Sequence, residues 1–86
     1  MLLGVLKAQG SENARVGIVT SRRVGTAVVR NRVRRRIREV VRCARPDLTD
    51  GLWMVIIAKT ASAEAPFAEL QKEWTQLARK AGCFRA

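Results

Sequence analysis

Histidine and tyrosine are absent from this sequence, and cysteine and proline occur only twice each. Without histidine, the chain cannot use imidazole-based general acid–base catalysis or a Ser-His-Asp triad. The two cysteines, Cys43 and Cys83, are too few for a disulfide framework, and they belong to no CxxC or Cys/His cluster that would bind zinc. We therefore interpret both cysteines as reduced packing residues.

Other chemical signatures are missing as well. No Walker-type loop or dinucleotide-binding fingerprint occurs around the glycines. The seven acidic residues are scattered, and Asp47 and Asp50 flank a turn, whose chemistry explains them better than metal binding does. We predict no catalytic residue, no metal site and no cofactor bound by the protein itself.

Long apolar segments are also lacking. The apolar start, Met1 to Leu6, is too short for a signal peptide and has no charged leader. No segment approaches the ~20 apolar residues of a membrane span. We therefore expect a cytoplasmic protein with no membrane partner. Because 48% of the 86 residues are hydrophobic, we expect one globular domain over residues 1–86.

Positive charge is abundant and concentrated in one part of the chain. The net charge is +10, and residues 22–45 contribute ten Arg and one Glu, a net +9. A surplus that served only solubility would be spread evenly, whereas a concentrated one is typical of a surface that binds a polyanion. Arginine makes up 13 of the 17 basic residues, and its planar fork of donors suits phosphate.

Three strands are predicted from the apolar patterns. Residues 2–8 and 15–21 form the first two, the second of which alternates with a period of two. The polar, Gly-containing segment 9–13 between them indicates a β-hairpin. Residues 52–59 are apolar on both faces, which is typical of a strand buried inside a sheet. Trp53 in this third strand could face either the core or an open sheet surface.

A basic amphipathic helix is predicted over residues 27–44, with Thr26 as its N-cap and Pro46 after its end. One side is an apolar arc about 80° wide, formed by Val29, Val33, Ile37, Val40 and Ala44. The arginines occupy the rest of the circumference. We place Arg34, Arg38, Arg42 and Arg45 opposite the arc, Arg30 and Arg36 on its flanks, and Arg32 and Arg35 on the far side.

A second helix is predicted after Pro66, which suits a first helical turn, and before Gly82, which suits the position after a helix end. Its apolar stripe contains Phe67, Leu70, Trp74, Leu77 and Ala81, and its charges are balanced, so we interpret it as a packing helix. The predicted fold class is α+β, a single two-layer domain of order β-β-α-β-α with a parallel strand pair across the helix. General rules predict a right-handed crossover.

The candidate functional site consists of Arg22, Arg23 and the helix from Arg30 to Arg45. Four like-charge pairs spaced i, i+4 weaken this helix by about 1–2 kcal/mol in total, a strain most easily retained where an anion neutralises it. The alternative is a solvated face, but such faces normally interleave both signs. A DNA major groove is a poorer match, since no preceding helix-turn unit and no zipper accompany the helix. Contacts to the phosphates and shape of an RNA fit best.

The segment from Arg15 to Glu39 closely resembles the signature of the bacterial ribonuclease P protein subunit family. The resemblance is carried by Arg30-Asn31-Arg32, by the basic residues Arg34 and Arg35, and by Arg38-Glu39. Ser21-Arg22-Arg23-Val24-Gly25 matches as well, and the later apolar strand and helix are similar to the C-terminal half of that family. In all, the resemblance covers about residues 1 to 82.

This resemblance implies a protein partner for a catalytic RNA, which uses Mg²⁺ to remove the 5′ leader of precursor tRNA. The protein itself would bind no metal. It would bind the ribonuclease P RNA, help to hold the leader of precursor tRNA, and need no obligate protein partner. The family's crossover is left-handed, contrary to the general rule. The implied RNA contacts are Arg30, Asn31, Arg32, Arg34, Arg35 and Arg38, with Arg22 and Arg23 adjoining.

One departure from the family pattern concerns the N-terminus. Members usually begin with a further helix and strand, which bring basic and aromatic residues to the leader-binding cleft, and this chain begins where the second strand is expected. We expect either a misassigned start codon or a shortened form in which one sheet face lacks its cover. Two other functions stay open: a ribosomal or ribosome-assembly RNA-binding protein, and a protein nuclease that acts alone.

Overall fold

The computed structural model describes residues 1–7, 15–49 and 51–84. Short 3-10 turns at Arg22–Val24, Arg45–Asp47 and Thr60–Ala63 join the main elements. The main elements are β1 (Leu2–Lys7), β2 (Arg15–Thr20), α1 (Ala27–Ala44), β3 (Leu52–Ala58) and α2 (Phe67–Lys80). The predicted α+β class and element order are confirmed, and the helix over 27–44 has the predicted bounds. Neither helix in these ranges is long and apolar enough to cross a membrane.

The sheet formed by the described residues has the strand order β1-β3-β2. β2 and β3 are parallel across α1, as predicted, while β1 runs antiparallel to β3. The predicted β-hairpin is therefore wrong, because β1 and β2 lie on opposite sides of β3; the turn segment 9–13 itself falls outside the described residues. The most apolar strand takes the central position, where both of its backbone edges are hydrogen-bonded. The handedness of the crossover stays a prediction.

Among the described residues, only one face of the sheet is covered. Along β3 burial alternates strictly, with Leu52, Met54 and Ile56 buried against the helices and Trp53, Val55 and Ile57 exposed. β3 thus lies inside the sheet, as its apolar pattern predicts, but only one of its two apolar faces is buried among the described residues. Both helices pack on the inner face, where their buried residues form one core with those of β3. The apolar outer face has no covering element among the described residues.

α1 begins and packs as its sequence pattern predicts. Thr26 is its N-cap, and the Thr26 Oγ1 accepts a hydrogen bond from the Val29 backbone N–H at 3.4 Å. Val33, Ile37 and Val40 are at most 2% exposed in the core. Val41 is also buried, at 2% exposed, although it falls outside the predicted arc. The apolar face is thus wider than predicted, because α1 contacts β2 on one side as well as α2 on the other.

α2 closes the core with Leu70, Trp74 and Ala78, all at most 2% exposed. The Trp74 ring meets the Phe84 ring edge-on, with 5.9 Å between centroids. Beyond the helix, Gly82 has φ +73°, and the backbone N–H groups of Gly82 and Cys83 donate to the Arg79 and Ala78 carbonyls at 3.1 and 3.0 Å. This is a Schellman motif, so the predicted role of Gly82 is confirmed. Of the predicted stripe, Ala81 is exposed instead.

Candidate nucleic-acid interface

The outer face of α1 forms a continuous basic surface. At about 100° per residue, Asn31, Arg35, Arg38 and Arg42 point away from the buried valines, and Arg32 lies beside them. Arg22 and Arg23 stand just before the helix in a 3-10 turn. Six of the predicted contact residues are exposed on this surface: Arg22, Arg23, Asn31, Arg32, Arg35 and Arg38. We name these six residues the basic face.

The other two predicted contacts, Arg30 and Arg34, lie lower on the side of α1 that faces β2, and both are only half-exposed. Arg34 donates from Nε to Thr20 Oγ1 at 3.1 Å, so the prediction that Arg34 lies opposite the apolar arc is wrong. The buried Arg30 Nε finds no acceptor among the described residues. A wider apolar arc, extended by Val41, places both side chains at its edge rather than on the outer face. The Arg34 guanidinium thus borders β2.

Two further arginines of α1 are held by the protein itself. Arg36 donates from Nη1 to the Ala65 carbonyl at 3.0 Å, which ties α1 to the segment before α2. Arg42 pairs with Glu39, the one acidic residue of α1, through two side-chain hydrogen bonds. These hydrogen bonds lower the pKa of the Glu39 carboxyl and raise the pKa of Arg42 above its ordinary range. The like-charge strain of the helix is therefore relieved locally at Arg42.

Gly25 sets the angle between the 3-10 turn and α1. Its φ is +149°, and a Cβ at this position would lie 2.9 Å from Val29 Cγ1. The turn is also tied from the other side, because the Thr60 hydroxyl donates to the Arg23 carbonyl at 3.5 Å. Only a residue without a side chain fits here, so Gly25 holds Arg22 and Arg23 beside the first turn of α1.

The cysteines differ in their environments. Cys83 is 0% exposed, and its interpretation as a packing residue is confirmed. Cys43 is exposed on α1, with its thiol 3.8 Å from Glu39 Oε1, so the packing interpretation of Cys43 is wrong. No group of acidic, histidine or cysteine side chains in the described ranges could hold a metal ion.

The open face of the sheet is a second surface, which the sequence left as one of two possible environments for Trp53. Its two outer rows are bulky: Leu2, Ile57 and Val19 form one, and Leu6, Trp53 and Arg15 form the other. Between them the middle row is low, because Gly4 and Gly17 flank Val55. A shallow channel therefore runs across the strands. The alternation of apolar residues in β1 and β2 was the sequence signal that could have predicted this open face.

Trp53 and Arg15 form the most distinctive feature of this open face. Trp53 is 43% exposed, which settles its orientation towards the open surface rather than the core. The Arg15 guanidinium carbon lies 5.6 Å from the centroid of the Trp53 ring, within the range of a cation–π interaction. In such a pair, the exposed ring can stack on an unpaired base while the cation contacts the phosphate of that nucleotide.

Fold and surface together define a small α+β protein whose positive charge is gathered on one helix face, a pattern typical of nucleic-acid-binding proteins. The family model described as Ribonuclease P matches residues 1–82. The chain belongs to the ribonuclease P protein family.

Individual relatives agree with this assignment. The ribonuclease P protein component of Symbiobacterium thermophilum is 44% identical over 78 residues, which are 91% of this chain and 68% of that protein. The ribonuclease P protein component of Chloroflexus aurantiacus is 53% identical over 68 residues, 78% of this chain and 50% of that protein. The chain thus spans between half and about two thirds of the length of these relatives.

A solved structure shows the same fold. A mutant RNase P protein of Staphylococcus aureus superposes with a TM-score of 0.84 over 95% of this chain and 69% of the other, at 23% sequence identity. The strand order and the parallel β2–β3 pair therefore belong to a fold that is known for this family.

Proposed function

We propose that this chain, as one RNA-binding domain over residues 1–86, is the protein subunit of ribonuclease P. It binds the catalytic RNA and assists that RNA in removing the 5′ leader from precursor tRNA. The chemistry belongs to the RNA and to its Mg²⁺ ions, while the protein binds no metal and supplies no catalytic side chain. We expect it to act in the cytoplasm, without an obligate protein partner.

The basic face carries this proposal. Five of its six members are arginines, none of which makes an ion pair within the described part of the chain. Their donors are therefore available to phosphates, which a planar guanidinium can engage through two parallel hydrogen bonds. An 18-residue α-helix is about 27 Å long, so it can cross several phosphates of a folded RNA.

The open sheet face supports a role in holding the leader. A single strand lying in the channel over Gly4, Val55 and Gly17 would have one bulky row about 7 Å away on each side, since the two bulky rows are four residues, or about 13 Å, apart along the strands. Trp53 would stack on an unpaired base, and Arg15 would contact a phosphate. The leader is single-stranded and the mature tRNA lacks it, so this contact would favour the precursor.

The primary test is cleavage of precursor tRNA by the ribonuclease P RNA of the same genome, with and without the purified protein. The protein should lower the Mg²⁺ concentration that half-maximal cleavage requires. Unchanged cleavage would contradict the proposal, and co-purification with ribosomal subunits instead of this RNA would favour the ribosomal alternative. Cleavage that survives complete removal of RNA would point to a nuclease acting alone.

Single variants distinguish the role of the basic face from that of the open sheet face. Arg35→Ala and Arg38→Ala should each weaken binding of the catalytic RNA and reduce the slope of log affinity against log salt by about one unit. Trp53→Ala should leave that affinity unchanged and weaken binding of precursor relative to mature tRNA, since base stacking contributes about 1–3 kcal/mol per base. If Trp53→Ala and the wild type prefer precursor over mature tRNA equally, the leader contact is refuted, while the proposed binding of the catalytic RNA still stands.

A further inference from the structure

α2 carries three basic residues, Lys72, Arg79 and Lys80, and two acidic ones, Glu69 and Glu73. Gln71, Thr75 and Arg79 follow each other at intervals of four and form one row along the helix. With residues of α1, this row lines a groove of about 480 Å³ between the two helices. Lys72 lies next to Arg79 on the same side, about 20° further around the helix.

The acidic residues of α2 lie further around the helix, with Glu69 about 80° and Glu73 about 120° from Arg79. Glu69 and Glu73 line a different cavity, at the N-terminal end of β1. There the Met1 amino group pairs with Glu73 Oε1 at 2.8 Å. Arg79 lines the groove, and Lys72 lies just outside it, about 60° around the helix from Glu69. Neither Lys72 nor Arg79 makes an ion pair within the described residues, and both are exposed.

The groove joins the Arg79 side of α2 to α1. Val40, Cys43 and Ala44 of α1 line it, together with Asp47 of the 3-10 turn that follows α1. Nearer to the other end, Arg36 ties α1 to the segment before α2 by its hydrogen bond to Ala65. The groove is polar along the α2 wall, where Gln71 offers both a donor and an acceptor. The Thr75 hydroxyl donates to the Gln71 carbonyl at 2.7 Å and keeps its lone pairs as acceptors. Phe84 supplies an aromatic surface at one end.

We infer that the RNA interface extends from the basic face of α1 across this groove onto α2. Arg79 and Lys72 contact phosphates of the same RNA, and the groove between the helices receives one of its unpaired nucleotides. The inference rests on the proposed function, because it assigns a second part of the surface that binds the catalytic RNA. Charge selects the occupant: Arg79 and Lys72 outnumber Asp47, the acidic residue of the groove, and a chain of net charge +10 attracts a polyanion and repels a second copy of itself.

α2 supplies a matched control for the test. Arg79 and Lys80 are the two basic residues of its last turn, and both are exposed. Replacing either by Ala removes one positive charge and the same favourable interaction with the helix dipole. Lys80, however, lies on the side of Glu69 and Glu73, away from the groove. A difference between the two variants therefore reports the groove side of α2 and not the net charge or the stability of the helix.

Affinity for the ribonuclease P RNA would be measured over a series of salt concentrations. Arg79→Ala and Lys72→Ala should each reduce the slope of log affinity against log salt by about one unit, and Lys80→Ala should leave it unchanged. Thr75→Trp, which fills the groove, should weaken binding at least several-fold without changing the slope.

The possible failures are distinguishable. Identical slopes for Arg79→Ala and Lys80→Ala, together with a reduced slope for Arg35→Ala, would overturn the inference and leave the proposed function intact. Wild-type affinity in Thr75→Trp would overturn the assignment of the groove to a nucleotide. If the wild-type protein does not bind the RNA at all, the proposed function itself fails.

Discussion

Glu39 accepts two hydrogen bonds from the Arg42 guanidinium, from Nε to Oε2 at 2.9 Å and from Nη2 to Oε1 at 2.5 Å. The two residues are one turn apart on α1, and both lie near the outer surface that carries the basic face. Because the carboxylate competes with any phosphate for this guanidinium, Arg42 should contribute less to RNA binding than Arg35 or Arg38. Glu39 thus limits the charge that α1 presents.

Replacing Glu39 by Gln should strengthen RNA binding. The change frees Arg42 and removes a negative charge from the interface, so the slope of log affinity against log salt should become steeper by up to about one unit. Glu69→Gln makes the same charge change on α2, on the side away from α1, and should leave the slope nearly unchanged. An equal effect of both variants would mean that only net charge matters.

RNA affinity should be nearly independent of pH between about pH 5.5 and about pH 7. The chain contains no histidine, and the hydrogen bonds from Arg42 hold the pKa of Glu39 below its ordinary value. Since the folded pKa is lowered, the stabilising effect of this pair is present above the ordinary carboxyl range and is lost as pH falls through the lowered pKa. A binding titration with a midpoint inside the stated window would contradict this expectation.

Arg35 and Arg36 are neighbours in sequence but should respond differently to replacement by Ala. Arg35 is exposed, so Arg35→Ala should change the salt slope and alter the free energy of unfolding by less than about 0.5 kcal/mol. Arg36 is half-buried and donates to the Ala65 carbonyl, so Arg36→Ala should cost about 1 kcal/mol of stability. Urea denaturation and salt-dependent binding, measured on both variants, separate the two roles.

The sequence predicted local structure much better than strand neighbours. The bounds of α1 follow from nearby signals, namely the Thr26 cap, the spacing of Val33, Ile37 and Val40, and Pro46 beyond the end. The pairing of β1 with β3 joins residues about 50 positions apart, and no local pattern encodes it. The Gly-containing segment between β1 and β2 therefore indicated a hairpin, although β3 lies between them.

The candidate site was likewise predicted only in outline, because its details depend on packing between distant parts of the chain. Charge density along the chain identified α1, but helical periodicity alone could not show that β2 covers the side that bears Arg34. The open sheet face was left undecided because β3 is apolar on both faces, and whether a helix covers the side of Trp53 depends on how the whole chain is arranged. The groove between α1 and α2 likewise exists only once the two helices have packed together.

Gly25→Ala should disturb the start of α1. The new Cβ would lie 2.9 Å from Val29 Cγ1 at a backbone φ that side chains rarely adopt, so a loss of about 1–3 kcal/mol in stability is expected. Because Arg22 and Arg23 would be displaced, RNA affinity should fall as well. Gly17→Ala is the control, since a Cβ there would meet only the Met54 carbonyl oxygen at 3.9 Å. Similar melting temperatures for the two variants would contradict the role of Gly25.

Trp74 should be the most sensitive position of the core. It is 0% exposed, packs edge-on against Phe84, and is among the largest fully buried side chains. Trp74→Ala should cost about 3–5 kcal/mol, a large part of the total stability of about 4–13 kcal/mol expected for a chain of this size. The variant should therefore be largely unfolded near 37 °C.

Trp74→Phe separates packing from hydrogen bonding at the same position. The indole Nε1 is buried without an acceptor among the described residues, so the smaller ring leaves a cavity but also removes an unsatisfied donor. We expect Trp74→Phe to lose much less stability than Trp74→Ala, as measured by chemical denaturation. If both variants lose the same stability, the Nε1 group has a partner in solution, and its hydrogen bond contributes to the fold.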